Sequence, residues 1–287
     1  MNIQLRSHGR IFLGVGLGII SLGSYTPRLD AIKPSYLAKI VKIAKELDTR
    51  IKPTEVNFVS SVALTGGSGT VAVPANSHFA LISAVGGGGG GGGANSGGTT
   101  VAGGGAAGAI IGLKIPVLPG DTIPYTVGTG GNGGFNPNEG SVGSATVIGA
   151  VVLNPGGGGF AGVNADGGTG GSVVISNALI APGATGGENP GAPGLPGNYP
   201  YLAYGGAAGG GVLSSGTFEG GDTVIYLGGA TGSHGGGGGA SAFADGATGG
   251  GGVAGFTGSR GAGGGGGGNA HTGGRGGDGF ILIEFFS

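Results

Sequence analysis

The sequence predicts a mostly non-α protein whose glycine-rich majority forms a packed array of extended helices with variable loops, preceded by a small α+β head. Three observations support this fold class. Glycine accounts for 82 of the 287 residues, and only eight of the 82 precede residue 86. Hydrophobic residues make up 38% of the chain and charged residues 9%, so the segments between the glycine runs are largely apolar. One amphipathic helix and several strand patterns come before the first long run.

The glycine runs determine what the second part of the chain can form. Extended helices of the polyproline type have three residues per turn and no internal hydrogen bonds, so every N–H and C=O points outward. Such groups need partners when they are buried, and helices without side chains lie close enough to bond to one another. The runs therefore predict a cooperative lattice of many helices. They are Gly86–Gly93, Gly103–Gly105, Gly156–Gly159, Gly209–Gly211, Gly235–Gly239, Gly249–Gly252 and Gly263–Gly268.

A flexible linker and a collagen-like triple helix are the two alternatives to this lattice. Collagen requires glycine at every third position, and that phase holds over Gly191–Gly197 and nowhere else for long. Disordered chains are poor in hydrophobic residues and rich in charge, whereas this chain is apolar and has a net charge of −1. The composition therefore favours an ordered lattice.

The charges divide the chain into a basic head and an acidic body. Residues 1–53 contain nine Lys/Arg and three Asp/Glu, whereas residues 54–287 contain three Lys/Arg and ten Asp/Glu. Such a division predicts two roles, with the head meeting an acidic surface. Nucleic acid is a poor candidate partner, because the lysines follow one helix without interleaved aromatic residues. The absence of cysteine rules out disulfides and thiolate metal sites.

The longest apolar run, Ile11–Leu22, follows Arg6 and Arg10 and has the outline of a signal peptide. It is too short to span a membrane. Its glycines at every second position favour an extended backbone, and we expect a buried segment that packs on a partner or on the head.

Pro34–Asp48 has the pattern of a helix, with proline suited to the first turn and one apolar face. Lys39, Lys42 and Lys45 lie on its flank, where they are either simply solvated or part of a docking surface. Strand patterns follow at Glu55–Leu64 and Thr70–Val85. A β pair is predicted at Ala109–Val117 and Thr122–Val127, and a buried closing strand is predicted at Gly279–Phe286.

The sequence offers little for catalysis. Gly128–Gly133 fits G-x-G-x-x-G, but in so glycine-rich a chain that pattern arises by chance. His8, His78, His234 and His271 are far apart in the sequence, without the spacing of metal ligands or catalytic partners. We therefore expect no cofactor, no metal and no enzymatic activity.

The inserts between the glycine runs carry most of the large side chains of the second half. Aromatic residues among Gly, Ser, Asn and Pro are typical of recognition loops, because rings give a large contact area with few rotatable bonds. The alternative is that the rings cover the ends or faces of the lattice. The candidate binding residues are Phe135, Asn136, Asn138, Phe160, Tyr199, Tyr201, Tyr204, Phe218, Tyr226, Phe243 and Phe256.

The opening Met1–Ile20, the alternation of glycine motifs with aromatic inserts from Gly128 to Gly279, and the GGDGFILIEF ending resemble the distal long-tail-fibre adhesin of T-even-type bacteriophages. The resemblance covers nearly the whole chain. It implies a layered sandwich of polyglycine-II helices, in agreement with the lattice expected from composition. It also implies a single copy at the fibre tip, in a virion component made in the host cytoplasm.

The resemblance implies two partners, a trimeric long-tail-fibre protein and an outer-membrane protein of a Gram-negative host. Residues 1–120 would form the fibre-attachment domain, with strands to about 127, and residues 121–287 the receptor-binding domain. The family's binding segments correspond to Phe135–Pro155, Asn189–Tyr204, Val212–Leu227 and Ala240–Arg260. The expected attachment residues are Ile11, Phe12, Leu13, Lys39, Lys42 and Lys45.

The sequence thus predicts a non-enzymatic receptor-binding adhesin whose rigid lattice holds aromatic loops. The alternatives are a passive glycine-rich structural component and a fibre-assembly factor that is absent from the virion.

Overall fold

The structure, a computed structural model, describes residues 5–6, 10–15, 18–21, 42, 56–94, 100–135, 137–162, 166–176, 178–185, 202–213, 216–223 and 225–287. The chain divides into two compact units, Met1–Val56 and Asn57–Ser287. The expected domain boundary at residue 120 lies inside the second unit, where strands and glycine runs are continuous with one another.

The first unit contains an antiparallel sheet in the order β1-β2-β3. Its strands are β1 (Leu5–Arg6), β2 (Arg10–Val15) and β3 (Gly18–Ser21). The extended backbone predicted for the apolar run is thereby confirmed in β2 and β3, which contain most of that run. The helix predicted at residues 34–48 lies outside the described residues, except for Lys42, which is helical and exposed. No helix among the described residues is long and apolar enough to cross a bilayer.

The second unit is built on two antiparallel sheets that pack face to face. The five-stranded sheet contains β4 (Phe58–Leu64), β6 (Phe79–Val85), β7 (Ala109–Pro116), β13 (Ala203–Tyr204) and β16 (Phe280–Phe286). The six-stranded sheet contains β5 (Ser68–Ala72), β8 (Thr122–Thr126), β9 (Thr146–Ile148), β10 (Val151–Leu153), β11 (Val173–Ile175) and β12 (Ala178–Ala181). Their orders are β13-β7-β6-β16-β4 and β12-β11-β10-β9-β8-β5. A separate hairpin joins β14 (Val212–Leu213) to β15 (Gly216–Thr217).

Strand alternation explains the core between the sheets. In β16 the side chains of Ile281, Ile283 and Phe285 are fully buried, whereas the residues between them are half-buried. Ile148 and Leu153 face them from the six-stranded sheet within one hydrophobic cluster. Side chains of one strand face alternately to the two sides of a sheet, so every second residue of β16 contributes to this core.

Two strand predictions were wrong in detail. The segment 70–85 is not one strand, because a turn near Pro74 separates β5 from β6, and these strands belong to different sheets. The segments 109–117 and 122–127 are strands but do not pair with each other. Instead β7 pairs with β6 and β13, and β8 pairs with β5 and β9.

Many strands of the sandwich continue directly into a glycine run or follow one. Residues 86–94 continue β6, and residues 101–108 lead into β7. The same holds for residues 128–134 after β8, residues 154–160 after β10 and residues 271–277 before β16. The lattice is therefore an extension of the sandwich, and its helices alternate in direction as the strands do.

The run at residues 86–94 lies inside this lattice. Its N–H groups donate in turn to three neighbouring runs, at residues 102–108, 138–144 and 271–277, over N···O distances of 2.9–3.1 Å. Gly86, for example, donates to Gly108, and Gly89 donates to Gly105. The direction of donation repeats at every third residue, as the three-residue turn of a polyglycine helix requires.

The carbonyl groups of the same run complete its surroundings. They accept N–H groups from three further runs, at residues 128–134, 154–160 and 261–268, over 2.8–3.0 Å. Residues 86–94 are therefore enclosed by six neighbouring runs, three that accept and three that donate. Three other runs are enclosed in the same way, at residues 101–108, 235–240 and 261–268. This arrangement is the layered packing of polyglycine helices predicted from the sequence.

At most glycine positions of the interior runs, this spacing leaves no room for a side chain. A Cβ atom at Gly89 would lie 1.8 Å from the carbonyl oxygen of Gly157, and one at Gly91 would lie 2.1 Å from that of Gly265. Each of these distances is far inside van der Waals contact. A side chain at such a position would push two runs apart and break the hydrogen bonds that join them.

Outer runs lack a neighbour on one side, and side chains supply the missing acceptors there. Ser144 Oγ accepts the N–H of Thr129 at 2.6 Å, and Ser141 Oγ accepts that of Asn132 at 2.7 Å. Polar side chains thus finish the flank of the lattice where no further helix follows.

The first prediction concerns this close packing. Gly89→Ala should destabilise the fold by about 3 kcal/mol or more, the upper range for overpacked interiors. The measurement is the free energy of unfolding in urea. Gly66→Ala is the control, because no atom lies within 4 Å of a Cβ at Gly66, and its effect should stay within about 0.5 kcal/mol. Equal stability of the two variants would contradict the close packing.

Candidate functional site

The lattice has two different ends. The strands leave it at one end, here called the sandwich end, and turns between runs close the other, here called the loop end. Because successive runs alternate in direction, the inserts are distributed between the two ends. Described turn residues at the loop end include 135, 137–138, 160–162, 212–213, 233–234, 251–253 and 269–271, whereas residues 225–227, 241–245 and 259–260 lie at the sandwich end.

Backbone hydrogen bonds fix the loop end to the interior runs. Gly93 N–H donates to the carbonyl of Asn138 at 2.9 Å, and Ala94 N–H donates to that of His271 at 3.0 Å. In the adjacent run, Val101 N–H donates to His234 at 3.0 Å and Ala102 N–H to Phe160 at 3.1 Å. Four residues that are far apart in the sequence are thus held on the ends of two neighbouring glycine helices.

The side chains at the loop end combine exposed rings with small polar groups. Phe135 is 69% exposed and Phe160 43% exposed. Asn138 and His271 are also exposed, whereas His234 is half-buried with its Nδ1 3.0 Å from Ser233 Oγ. Exposed rings on a fixed backbone give a contact surface that loses little conformational entropy on binding.

The charged groups described at the loop end are carboxylates. Glu139 and Asp166 are both exposed there. Within the part of the second unit that the structure describes, the Lys and Arg residues lie elsewhere: Lys114 on β7, Arg260 at the sandwich end and Arg275 beside Asp278. The described loop end therefore suits a neutral or basic partner better than a phosphate-rich one.

The predicted binding residues that the structure describes are divided among the two ends and the flank of the lattice. Phe135, Asn138 and Phe160 lie at the loop end, and Phe218 lies beside it, half-buried, with its carbonyl accepting Gly237 N–H at 3.0 Å. Phe256 lies on the flank of the lattice and is 58% exposed.

At the sandwich end, Tyr204, Tyr226 and Phe243 are half-buried. Tyr204 and Phe243 pack against a buried cluster that includes Val85. The Phe243 ring meets Phe280 edge to face, with centroids 6.2 Å apart. The rings of Tyr204 and Phe243 therefore cover the end of the five-stranded sheet. Covering an end of the fold is the alternative role that the sequence analysis gave for the aromatic inserts.

Several predicted residues lie outside the described part of the chain. Asn136, Tyr199, Tyr201, Lys39 and Lys45 belong to this group. Among the expected attachment residues, Ile11, Phe12 and Leu13 lie in β2, and Lys42 is exposed.

Sequence reasoning missed His234 and His271 as members of the loop end. It considered the histidines only as metal ligands or catalytic partners, and no group of three His, Asp or Glu among the described residues is placed to hold a metal. The signal that could have found them is the alternating direction of the runs, because every second insert must return to the same end of the lattice.

Asp278 anchors the run that leads to Phe135. Its Oδ1 accepts the N–H of Gly130 at 2.8 Å, and its carboxylate also pairs with the Arg275 guanidinium. The hydrogen bond from Arg275 holds the pKa of the Asp278 carboxyl below its usual range, against the opposing effect of burial, and the Gly130 N–H lowers this pKa further. The same pairing raises the pKa of Arg275.

These features define an all-β sandwich extended by a polyglycine lattice, with turns between the runs at its loop end. A protein-family model described as a glycine-rich domain matches residues 62–286. The chain therefore belongs to the glycine-rich domain family. No curated protein matches the chain.

The second prediction follows from the lowered pKa of Asp278. Asp278→Asn should reduce the free energy of unfolding at pH 7 by up to about 1 kcal/mol, a small value because the pair is partly exposed. A carboxyl with a lowered folded-state pKa stabilises the fold above its unfolded pKa of about 3.9, and this contribution disappears as the pH falls through the folded-state pKa.

Urea unfolding from pH 7 to pH 2 measures this difference. The difference in the free energy of unfolding between wild type and Asp278→Asn should disappear as the pH approaches 2. A gap that does not change with pH would show that the charge of Asp278 contributes nothing.

Proposed function

We propose that this protein is a receptor-binding adhesin at the tip of a bacteriophage long tail fibre, where it recognises an outer-membrane protein of a Gram-negative host during adsorption. The role is non-enzymatic. In the proposal, residues 1–120 provide the attachment to the trimeric fibre, and the protein is part of the virion. Membership of the glycine-rich domain family is compatible with this role, and the resemblance to T-even-type adhesins supports it.

The observation that carries the proposal is the anchoring of the loop end. Phe160, His234 and His271 are bonded through their backbones to interior runs that are each enclosed by six neighbouring runs. Loops held in this way lose little freedom when a partner binds, so that more of the contact energy appears as affinity.

The character of the loop end supports a protein receptor. The rings of Phe135 and Phe160 supply apolar contact area, and exposed Asn138 and His271 supply hydrogen-bonding groups. Interfaces in which a few aromatic residues carry much of the binding energy have this composition. The nearby carboxylates Glu139 and Asp166 would repel phosphate groups of a membrane saccharide.

The third prediction concerns a capture experiment that compares a double variant at the loop end with a double variant at the sandwich end. Tagged protein is mixed with solubilised outer membranes from a panel of enterobacteria. We expect wild type to retain one membrane protein, and Phe135→Ala/Phe160→Ala to weaken that retention at least tenfold. Ile225→Ala/Leu227→Ala is the control, because both side chains are 68% exposed at the sandwich end, and it should bind like wild type.

Each other outcome corrects the proposal. No retention from any strain by folded protein would favour the passive structural or assembly roles. Loss of retention in the control alone would move the contact to the sandwich end.

Host range altered by changes at the loop end would separate an adhesin from both alternatives.

A further inference from the structure

The lattice is wider than the sandwich that it continues, and this difference leaves a step in the second unit. The runs at residues 235–240 and 261–268 lie beside the runs at residues 101–108 and 86–94, with N···O distances of 2.9 Å from Gly239 to Gly104 and from Gly264 to Gly89. The latter two runs join β7 and β6, whereas the former two end at turns. The strands therefore extend past these turns as a wall, and the turns form a floor beside it.

Side-chain hydrogen bonds tie the turns of the floor together. The floor consists of residues 222–223, 225–227, 241–245 and 259–260. Thr223 Oγ1 accepts the N–H of Tyr226 at 3.0 Å and donates to the Ser241 carbonyl at 3.2 Å. Ser241 Oγ donates in turn to the Arg260 carbonyl at 2.8 Å. Three inserts that are separate in the sequence thus form one ordered surface.

This ordered surface exposes two large apolar side chains. Ile225 and Leu227 are each 68% exposed. The backbone of Leu227 is nevertheless fixed, because its N–H donates to Asp245 Oδ1 at 2.9 Å and its carbonyl accepts the N–H of Gly246 at 2.9 Å. Exposed apolar residues mark an interaction site when they adjoin further apolar surface, and the wall provides such a surface.

The wall is the outer face of β7, β6 and β16. Phe280, Leu282 and Phe286 are half-buried on this face, because they alternate with the buried residues of β16. At the foot of the wall, the Phe280 ring meets the Phe243 ring of the floor edge to face, with centroids 6.2 Å apart. The apolar surfaces of the floor and the wall therefore meet at Phe243.

Two exposed cations lie on the wall, each over an aromatic ring. Lys114 Nζ is 3.8 Å from the centroid of the Phe79 ring, and Arg260 Cζ is 5.6 Å from that of the Phe280 ring. Phe79 lies opposite Phe286 in the ladder, six residues along β16 from Phe280, so the two cations are about 20 Å apart along the strand. A cation held over a ring keeps N–H donors for a carboxylate of a partner.

The carboxylates of the step are less available to a partner. Glu284 is half-buried in the middle of the wall, opposite Leu81. On the floor, Asp222 and Asp245 accept backbone N–H groups, from Gly228 at 2.7 Å and from Leu227 at 2.9 Å. The step therefore offers cations and apolar groups, whereas the charges described at the loop end are carboxylates.

The charge of the head indicates the same kind of partner. Residues 1–53 contain nine Lys/Arg against three Asp/Glu, so they suit an acidic surface. The cations of the step also suit an acidic surface, and the carboxylates of the loop end do not. One acidic, partly apolar protein would therefore complement both the head and the step.

We infer that the step is a second protein-binding surface, which holds the acidic end of the trimeric fibre protein. Apolar side chains of the fibre pack on Ile225, Leu227 and the wall, and its carboxylates pair with Lys114 and Arg260. The inference rests on the proposed function for the identity of the partner. It extends the attachment beyond residues 1–120, to the floor and to β16.

The fourth prediction concerns the dissociation constant of the full-length protein for the purified trimeric fibre protein of the same bacteriophage. Ile225→Ala/Leu227→Ala should weaken this binding at least tenfold, because it removes the two most exposed apolar contacts of the floor. Phe135→Ala/Phe160→Ala is the control, since both rings lie at the loop end, and it should bind the fibre like wild type. The two double variants thus exchange the roles that they have in the capture of the receptor.

A charge variant keeps the inference testable if Ile225→Ala/Leu227→Ala fails to fold. Lys114→Gln/Arg260→Gln retains long polar side chains and removes both cations. It should weaken fibre binding at least tenfold at low salt, and its difference from wild type should shrink as salt screens the ion pairs.

The outcomes separate the inference from the proposed function. Fibre binding by wild type that both step variants leave unchanged would overturn the inference alone. No fibre binding by folded wild type would overturn the inference together with the proposed attachment. Two-chain species of the free protein in light scattering, lost in Ile225→Ala/Leu227→Ala, would assign the step to a second copy and also overturn the inference.

Discussion

The hydrogen bonds between neighbouring glycine runs are the interaction on which the rest of the second unit depends. A single backbone hydrogen bond contributes only about 0.5–1.5 kcal/mol net, whereas ordering each residue costs about 1–2 kcal/mol, with glycine at the upper end. One run alone could not stay folded. Enclosing a run with six others lets its residues donate and accept at once, and the closest approaches occur at positions without a Cβ atom. Gly89, with the Gly157 carbonyl beside it, illustrates this limit.

The sandwich aligns the glycine runs with one another, which the lattice alone cannot do. Runs without side chains could slide past one another, because nothing in a glycine backbone distinguishes one register from the next. Strands that pack through Ile82, Ile283 and Leu153 fix the position from which each run departs. Thr146 strengthens this alignment: its buried hydroxyl donates to the Val85 carbonyl at 2.8 Å and accepts Gly128 N–H at 2.9 Å, so it ties the two sheets together where the lattice begins.

The same reasoning explains what could be predicted from the sequence. Composition and periodicity indicated an ordered lattice, a buried closing strand and an extended apolar segment near the N-terminus, because these depend on local patterns. Neighbour relations depend on packing and could not be predicted. Glycine runs do not specify which run lies beside which, so the predicted pairing of β7 with β8 was wrong, and the placement of Phe160, His234 and His271 at the same end of the lattice was not predicted. The roles of Tyr199 and Tyr201 stay predictions.

Native-state hydrogen exchange, resolved by residue, tests the central claim most directly. The amides of residues 87–92 donate inside the lattice, so they should exchange only through global unfolding and report the same free energy as urea denaturation. The amide of Val142 lies on the exposed flank and should exchange much faster. Exchange of residues 87–92 within seconds, in protein whose strand amides stay protected, would contradict the lattice and leave the glycine runs as flexible connections between strands.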